Sequence, residues 1–317
     1  MELFSASLLF LIGLVLIVKG GDIFVDAAAW MARASGIPQF VIGATIVSLA
    51  TTMPEVIVSA LAAVDGSTDM AIGNAVGSVS ANIGLILAIT LIFMPSAILR
   101  RQFAAKGLLM IFSCLALLFF CRNQALSTPE ALGMFLLFSS FLAENLIAAR
   151  SMSTNAAPTP RLRIRRRELI RNLAFFFVGA ASLVIGSHLL VTNGEILAAA
   201  LGVPTRIIAI TLVAIGTSLP EFVTAITALV KRESSMSVGN ILGANIIDLT
   251  MILPLCTLLS GGSLPVSTPN LTVDMPLTLA LTCLAVLPTL ALRRFTRWQG
   301  VLLLIFYLSY LIVSISA

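Results

Sequence analysis

Two apolar stretches of the chain each contain a glutamate that directly follows a proline: Glu55 after Pro54, and Glu221 after Pro220. Proline has no backbone N–H, so each proline frees carbonyl oxygens about one helical turn earlier in the chain. Carboxylate, carbonyl and hydroxyl oxygens are the ligands that hard cations such as Ca²⁺ prefer. We therefore predict that each glutamate shares a cation with the unwound backbone and with the hydroxyl groups beside it, which belong to Thr51, Thr52, Thr217 and Ser218.

A glycine–asparagine motif follows each glutamate, as GNAVGSVSAN at 73–82 and GNILGANIID at 239–248. Its glycines allow two helices to approach closely, and its polar residues Ser78, Asn82 and Asp248 add further oxygen ligands. We expect Asn82 and Asp248 to meet each other. Neither motif contains histidine or cysteine, which argues against a site for a soft metal.

The composition places these motifs in a lipid bilayer. Hydrophobic residues make up 59% of the 317 residues and charged residues only 10%, and the mean hydropathy is +1.08, which excludes an ordinary soluble protein. About 20 apolar residues span a bilayer as a helix, and the long runs lack the strict alternation of barrel strands. The sequence therefore predicts an all-α polytopic membrane protein with ten transmembrane helices, at residues 4–20, 38–63, 69–95, 105–121, 129–148, 169–191, 204–230, 235–260, 275–292 and 299–315.

Basic residues predict the orientation. If the N-terminus lies outside, 17 of the 19 Lys and Arg residues fall in cytoplasmic loops, leaving only Arg122 and Arg206 outside. The positive-inside rule then puts both termini outside. The basic run at 161–167 is interpreted as a cytoplasmic anchoring loop, so no nucleic-acid partner is expected. The absence of a long loop or a targeting segment favours a prokaryotic inner membrane.

Two ion pairs are also expected from local spacing. Lys19 and Asp22 are three residues apart near the cytoplasmic end of the first predicted span and are expected to pair along the helix face; the alternative is that they and Asp26 line a water-filled entrance. Glu144 lies within two turns of Arg150, so a basic partner from the adjacent loop is expected.

The chain repeats itself at an offset of 166 residues, without gaps. Thr51 aligns with Thr217, Glu55 with Glu221, and the register continues as far as Asn82 and Asp248, which is too long for a chance match. The equivalent pairs also include Gly20 with Gly186, Pro54 with Pro220, Asn74 with Asn240, and Gly77 with Gly243.

The offset covers five predicted helices, an odd number, so the second copy must cross the membrane in the opposite direction. Loop charges agree, because the acidic loop with Asp65 corresponds to the basic loop with Lys231. We predict two inverted five-helix repeats, at 1–148 and 169–317, joined by a basic cytoplasmic linker at 149–168. Secondary transporters use such inverted repeats for alternating access, with the site near the membrane midplane.

Of the 14 acidic residues, only Glu55, Glu221 and Asp248 lie both deep in a span and within the repeat. A charge at that depth is costly and must face a partner or water. No Lys or Arg lies deep in the four repeat helices, so three carboxylates facing each other are expected to bind cations. An intramembrane metallohydrolase would need histidine ligands or an activated nucleophile, which the motifs lack. Two inverted halves that share one buried site fit a transporter better than they fit a channel.

These motifs, TTMPE and GTSLPE with GNxxGSxxxN and GNxxGxxxxD, resemble those of the sodium/calcium exchanger family of the cation/calcium antiporters. The similarity covers nearly the whole chain. It implies Ca²⁺ exchanged for Na⁺ as transported ions, no cofactor and no enzyme activity, with the first and sixth helices sliding past a packed core. The oligomeric state stays open, and a monomer is compatible.

The resemblance also implies roles for individual residues. Glu55 and Glu221 would be the central Ca²⁺ ligands, and Thr51 and Thr217 would assist them. The Na⁺ positions would be completed by Thr52, Ser78, Asn82, Ser218 and Asp248, with backbone oxygens from Ser48 and Ala214.

One departure from the family pattern bears on the coupling ion. Ala244 stands where the family usually has serine, so the Na⁺ position on that side lacks a hydroxyl. The proton/calcium branch usually has a glutamate in its GN motif, where this chain has Val76–Gly77 and Leu242–Gly243, which favours sodium. Ca²⁺/H⁺ antiport, or exchange of Mn²⁺, Mg²⁺ or K⁺, stays the alternative. Because one Ca²⁺ balances two carboxylates, Asp248 is expected to be neutral and bonded to Asn82 when Ca²⁺ is bound.

Overall fold

The computed structural model describes residues 2–93, 100–155, 166–202 and 214–316. Arg206 and most of the basic run at 161–167 lie outside these residues. Helices dominate the described ranges, as expected for apolar segments that must satisfy every backbone hydrogen bond internally in lipid. They are α1 (Glu2–Ser35), α2 (Gln39–Thr51), α3 (Met53–Val64), α4 (Thr68–Phe93), α5 (Arg100–Phe120), α6 (Thr128–Asn155), α7 (Arg166–Ala200), α8 (Ala214–Thr217), α9 (Leu219–Val230), α10 (Ser234–Leu259), α11 (Asn270–Leu292) and α12 (Arg297–Ser316).

Within the described ranges, seven of these helices are long and apolar enough to cross a membrane, namely α1, α4, α5, α6, α7, α10 and α11. The pair α2 and α3 is long and apolar enough when taken together, bent by 46° at its break, and counts as an eighth span if the two helices form one broken span. The predicted seventh and tenth spans coincide with the shorter apolar helices α9 and α12. Residues 204–213 of the predicted seventh span lie outside the described residues.

Two predicted spans were too short. The first, predicted at 4–20, continues as one helix to Ser35, and the sixth, predicted at 169–191, runs from Arg166 to Ala200. Both helices extend past their apolar stretch because charged residues near the ends are tolerated outside the hydrocarbon. The predicted linker at 149–168 is shortened from both sides, since α6 reaches Asn155 and α7 begins at Arg166.

The two GN-motif helices form the centre of the molecule. In their apolar segments, 72% of the residues of α4 and 83% of those of α10 are buried, against 33% for α1 and 28% for α7. Helices α1 and α7 therefore lie at the edge of the core, where they pack along each other.

Glycines bring α1 and α7 into direct backbone contact. A Cβ atom added at Gly13 would lie 2.9 Å from the carbonyl oxygen of Gly186, and one at Gly20 would lie 3.1 Å from that of Gly179. Gly13 and Gly20 are the repeat equivalents of Gly179 and Gly186. The four glycines thus form one symmetric helix crossing, as small residues do in lipid.

The helices break at equivalent positions in the two repeats. Thr52 separates α2 from α3, and Ser218, its equivalent, separates α8 from α9. Wider π-helical turns begin at Asn82 in α4 and at Asp248 in α10, again equivalent positions. Helix breaks follow from the prolines, and π turns inside helices commonly mark functional sites.

A short ribbon ties the two halves together on one face. Strand β1 (Ala125–Ser127) pairs antiparallel with β2 (Ser263–Pro265), with Leu126 opposite Leu264. Both leucines are buried, so the ribbon covers the end of the core.

Both expected ion pairs have different partners in the structure. Lys231 pairs with Asp22, with the amine nitrogen 3.4 Å from a carboxylate oxygen. Glu144 pairs with Lys106, which was assigned to a cytoplasmic loop but is only 1% exposed within α5. Local spacing identified the acidic residues correctly, but their partners come from distant parts of the chain.

Candidate cation site

The two helix breaks place the glutamates in the core. Glu55 lies in the first turn of α3 and Glu221 in the first turn of α9, each directly after its proline. Each side chain is about 1% exposed. The N-terminal end of a helix carries partial positive charge, which favours a carboxylate at that position.

The threonine of one repeat is held by the asparagine of the other. The Thr51 hydroxyl donates to the side-chain oxygen of Asn240 over 3.3 Å, and the Thr217 hydroxyl donates to that of Asn74 over 3.4 Å. These are equivalent bonds in the two repeats. Each broken helix is therefore positioned by the GN-motif helix of the other half.

A further bond connects the two motifs directly. The Thr52 hydroxyl donates to a carboxylate oxygen of Glu221 over 3.3 Å. The amide of Asn74 donates to the backbone carbonyl of Glu55 over 3.3 Å and to the Ser59 hydroxyl over 2.9 Å. Residues from both repeats thus meet in one polar region inside the apolar core.

Several buried oxygens in this region have no hydrogen-bond partner among the described residues. A buried polar atom without a partner costs a few kcal/mol, and native proteins rarely leave one unexplained. All of the following belong to predicted site residues: one carboxylate oxygen each of Glu55 and Glu221, both of Asp248, the side-chain oxygen of Asn82 and the hydroxyl oxygens of Ser78 and Ser218. Such a set of acceptors fits the ligand chemistry of Ca²⁺ and Na⁺.

The negative charges act on one another across this space. Glu55 lies within Coulombic range of both Glu221 and Asp248. Nevertheless, no group of three His, Cys, Asp or Glu side chains in the described ranges is close enough to hold one metal ion. An ion between the glutamates would therefore not be ligated by all three carboxylates at once. A cation shared by the glutamates would take its remaining ligands from neutral oxygens.

Asn82 and Asp248 are not hydrogen-bonded to each other in the structure. The Asn82 amide donates over 3.0 Å to Asn245, whose own amide faces the sulfur of Met110 at 3.6 Å. Both carboxylate oxygens of Asp248 are without a partner among the described residues. Asn245 precedes the π turn by less than one helical turn, so it reaches Asn82 first.

The remaining predicted residues lie as follows. The Ser48 carbonyl accepts bonds from the Thr51 hydroxyl over 3.3 Å and from the Thr52 backbone over 2.9 Å. Ala214, the repeat equivalent of Ser48, is the first residue of α8. Ala244 is fully buried at the position equivalent to Ser78.

Sequence reasoning missed the contribution of Asn74 and Asn240. Both lie in the repeated GN pair, and the GN pair was used only to establish the register and the helix packing. Their presence at the same place in both copies was the available signal, because a polar side chain deep in lipid needs a partner. The structure gives that partner as the threonine before each glutamate.

A cavity of about 560 Å³ leads to this region from one side. It lies between α3, α4, α7 and α8, and its lining includes Pro54, Asn74, His188 and Thr217. The lining is mostly apolar, and its polar residues are Asn74, Ser187, His188 and Thr217. Asn74 and Thr217 are shared with the polar region around the glutamates.

Comparison with known proteins agrees with this arrangement. The family model described as sodium/calcium exchanger protein matches residues 5–146 and 171–316. The inner membrane protein YrbG of Escherichia coli (strain K12) is 36% identical over 82% of this chain and 81% of its own. The sodium/calcium exchanger MaX1 of Methanosarcina acetivorans is 29% identical over 96% of this chain and 97% of its own.

Solved structures match over the same length. The sodium-calcium exchanger NCX_Mj, soaked with 10 mM Na⁺ and zero Ca²⁺, superposes with a TM-score of 0.83 at 28% identity and covers 99% of both chains. The family model matches both halves of the chain, and the helix breaks lie at equivalent places in the two halves. The chain therefore belongs to the sodium/calcium exchanger protein family and is a membrane cation antiporter.

Proposed function

We propose that this antiporter exchanges Ca²⁺ for Na⁺ at the region between the two glutamates. One observation carries the proposal: at the predicted site positions of both repeats, carboxylate, hydroxyl and amide oxygens are buried without hydrogen-bond partners among the described residues. A buried lysine could neutralise these carboxylates, but Lys106, which is buried, is already paired with Glu144. Cations are the remaining partners for these oxygens.

Ca²⁺ and Na⁺ would use overlapping ligands. Glu55 and Glu221 would bind Ca²⁺ together with Thr51 and Thr217, completing six to eight oxygens with carbonyls and water. Na⁺ ions would use the remaining oxygens, which belong to Thr52, Ser78, Asn82, Ser218 and Asp248, and the backbone at Ser48 and Ala214. Because both ions need the same glutamates, they exclude each other, and exclusion at one site is what couples two opposite fluxes.

Sodium is favoured as the coupling ion over protons. Neither GN motif contains an acidic residue between its glycines. The relatives named above include a sodium/calcium exchanger and a sodium-calcium exchanger structure soaked with Na⁺. Proton coupling, or transport of another cation such as Mn²⁺, Mg²⁺ or K⁺, is the alternative outcome of the experiment below.

The location is proposed from the loop charges and from one relative. Positive loops would face the cytoplasm, which places both termini outside. YrbG, which matches most of the chain, is an inner membrane protein of a bacterium. We propose the same kind of membrane for this chain.

The test is uptake of radiolabelled Ca²⁺ into proteoliposomes that contain either Na⁺ or choline, with a proton gradient imposed separately. We expect uptake that requires internal Na⁺ and is lost in Glu55→Gln and in Glu221→Gln. Glu195→Gln, an isosteric change in α7 outside the motifs, is the matched control and should transport normally. Uptake driven only by a proton gradient would identify H⁺ as the coupling ion. Ca²⁺ uptake that persists in both glutamine variants would contradict the proposed site.

A further inference from the structure

The inverted repeat creates two equivalent interfaces, and the structure shows them in different states. Helix α1 faces α9 on one side of the molecule, and α7 faces α3 on the other. The offset of 166 residues relates α1 to α7 and α3 to α9. Every residue at one interface therefore has a definite counterpart at the other.

The α1–α9 interface is closed. A Cβ atom at Gly21 would lie 2.8 Å from a side-chain methyl of Val223. At the end of this interface, the Lys231 amine lies 2.8 Å from a carboxylate oxygen of Asp26 and donates to the Asp22 backbone carbonyl over 2.9 Å. Ion pairs thus connect the C-terminal half of α1 to Lys231, the residue that follows α9.

The α7–α3 interface is open. The counterparts of Gly21 and Val223 are Ser187 and Ile57, and both line the cavity between α7 and α3. The counterpart of Asp22 is His188, which also lines the cavity, and that of Lys231 is Asp65, which follows α3 and is exposed. Within the described residues no ion pair joins His188 to Asp65.

We propose that His188 and Asp65 form the counterpart of the Asp22–Lys231 pair and come together when the cavity between α7 and α3 closes. The inference rests on the proposed function, because alternating access requires the two repeats to exchange their conformations around the site. The pair has reversed polarity: at the closed interface the acidic group is on the helix, whereas at the open interface it is on the loop. The imidazole would donate a ring N–H to the Asp65 carboxylate.

His188 can carry a charge, unlike the α7 counterparts of two other charged residues in the C-terminal half of α1. Asp26 and Arg33 have the uncharged counterparts Thr192 and Ala199. Every other described residue of the cavity lining is uncharged, so Asp65 would be the ionic partner that closure brings to His188. A single pair at an exposed edge contributes little energy, which suits a contact that must form and break in each transport cycle.

The test measures closure of the cavity and does not depend on which ion is transported. Ile57→Cys places a thiol in the cavity lining, and its rate of reaction with a membrane-impermeant maleimide reports how often the cavity is open. Three of the four native cysteines are buried, and the protein without Ile57→Cys gives the background rate. The rate is measured in liposomes for Asp65→Lys, for His188→Asp and for the double variant, which copies the Lys231–Asp22 arrangement.

We expect each single variant to increase the labelling rate about two- to fivefold, the size expected of one partly exposed ion pair. The double variant should return to the rate of the parent protein. Asp69→Lys combined with His188→Asp changes the same charges four residues away and should not restore the rate. Single variants that label at the parent rate, or a double variant that labels like the singles, would overturn the proposal. Since labelling needs no Ca²⁺ uptake, failure here is distinguishable from failure of the proposed transport.

Discussion

Replacing Gly243 by alanine should separate α2 from α10 and weaken the cation site. Gly243 lies on α10, where it packs against α2. An added Cβ atom would lie 2.5 Å from the carbonyl oxygen of Ala44, 2.7 Å from its Cα and 2.6 Å from the Ser48 hydroxyl. Ordinary contacts at a Cβ atom lie between 3.4 and 4 Å. Two of the three clashes are with backbone, so the helices must move apart by about 1 Å, a cost of roughly 1–3 kcal/mol for overpacking.

The same movement would disturb the ligands. Ser48 and Thr51 lie on α2, and Thr51 is bonded to Asn240 on α10. Ca²⁺–oxygen distances span only about 2.3–2.6 Å, so a ligand shift of about 1 Å should remove that ligand and weaken Ca²⁺ binding about tenfold or more.

The assay is thermal unfolding of the purified protein in detergent, with and without Ca²⁺. Gly243→Ala should lower the midpoint and reduce the stabilisation that Ca²⁺ gives. Gly133→Ala is the control, because its added Cβ atom would lie 3.2 Å from two atoms at the edge of the Phe120 ring, a side chain that can turn away. If Gly243→Ala unfolds and binds Ca²⁺ like the parent protein, the close packing of α2 on α10 does not set the site geometry.

Two further predictions follow from the charges in the core. Asp248→Asn should preserve Ca²⁺ binding but weaken the dependence of exchange on Na⁺, because one Ca²⁺ balances only two of the three carboxylates. Calorimetric titration of the variant with Ca²⁺ checks this prediction, and loss of Ca²⁺ binding would refute it. Glu144→Gln should destabilise the protein by about 3 kcal/mol, because it leaves the buried Lys106 amine without its anion. The double variant Lys106→Met with Glu144→Gln should recover most of that loss in thermal unfolding, and equal losses in the single and double variants would contradict a pairing role for Glu144.

The repeat register predicted more of the site than the apolar runs did. The positions of Pro54 and Pro220 predicted two helix breaks, and both breaks occur at the preceding residues Thr52 and Ser218. Helix breaks are local consequences of proline chemistry, so they can be deduced from a short segment. The end of α1 at Ser35 was missed because an apolar run shows where lipid ends, not where the helix ends.

Long-range partners could not be deduced in the same way. Lys231 is about 200 residues from Asp22, and the choice between Lys19 and Lys231 depends on how α1 packs against α9. Asn82 likewise bonds Asn245 instead of Asp248; the two lie about one turn apart on the same face of α10, so the height at which α4 packs against α10 decides which of them is opposite Asn82. These outcomes depend on helix rotation and crossing geometry, which the pattern of apolar residues leaves undetermined.

Both interfaces are built from the same repeated sequence, yet α1 is closed on α9 while a cavity separates α7 from α3. Similar sequences give similar packing energies, so the free-energy difference between the open and closed forms of each interface should be small. A ligand can then shift the balance with a modest difference in affinity for the two forms. Glu55 lies on α3 and Glu221 on α9, so each interface contributes one of the two glutamates. An ion bound between them, as proposed, would contact the elements that must rearrange when one side closes and the other opens. Occupancy of such a site would then decide which interface is open.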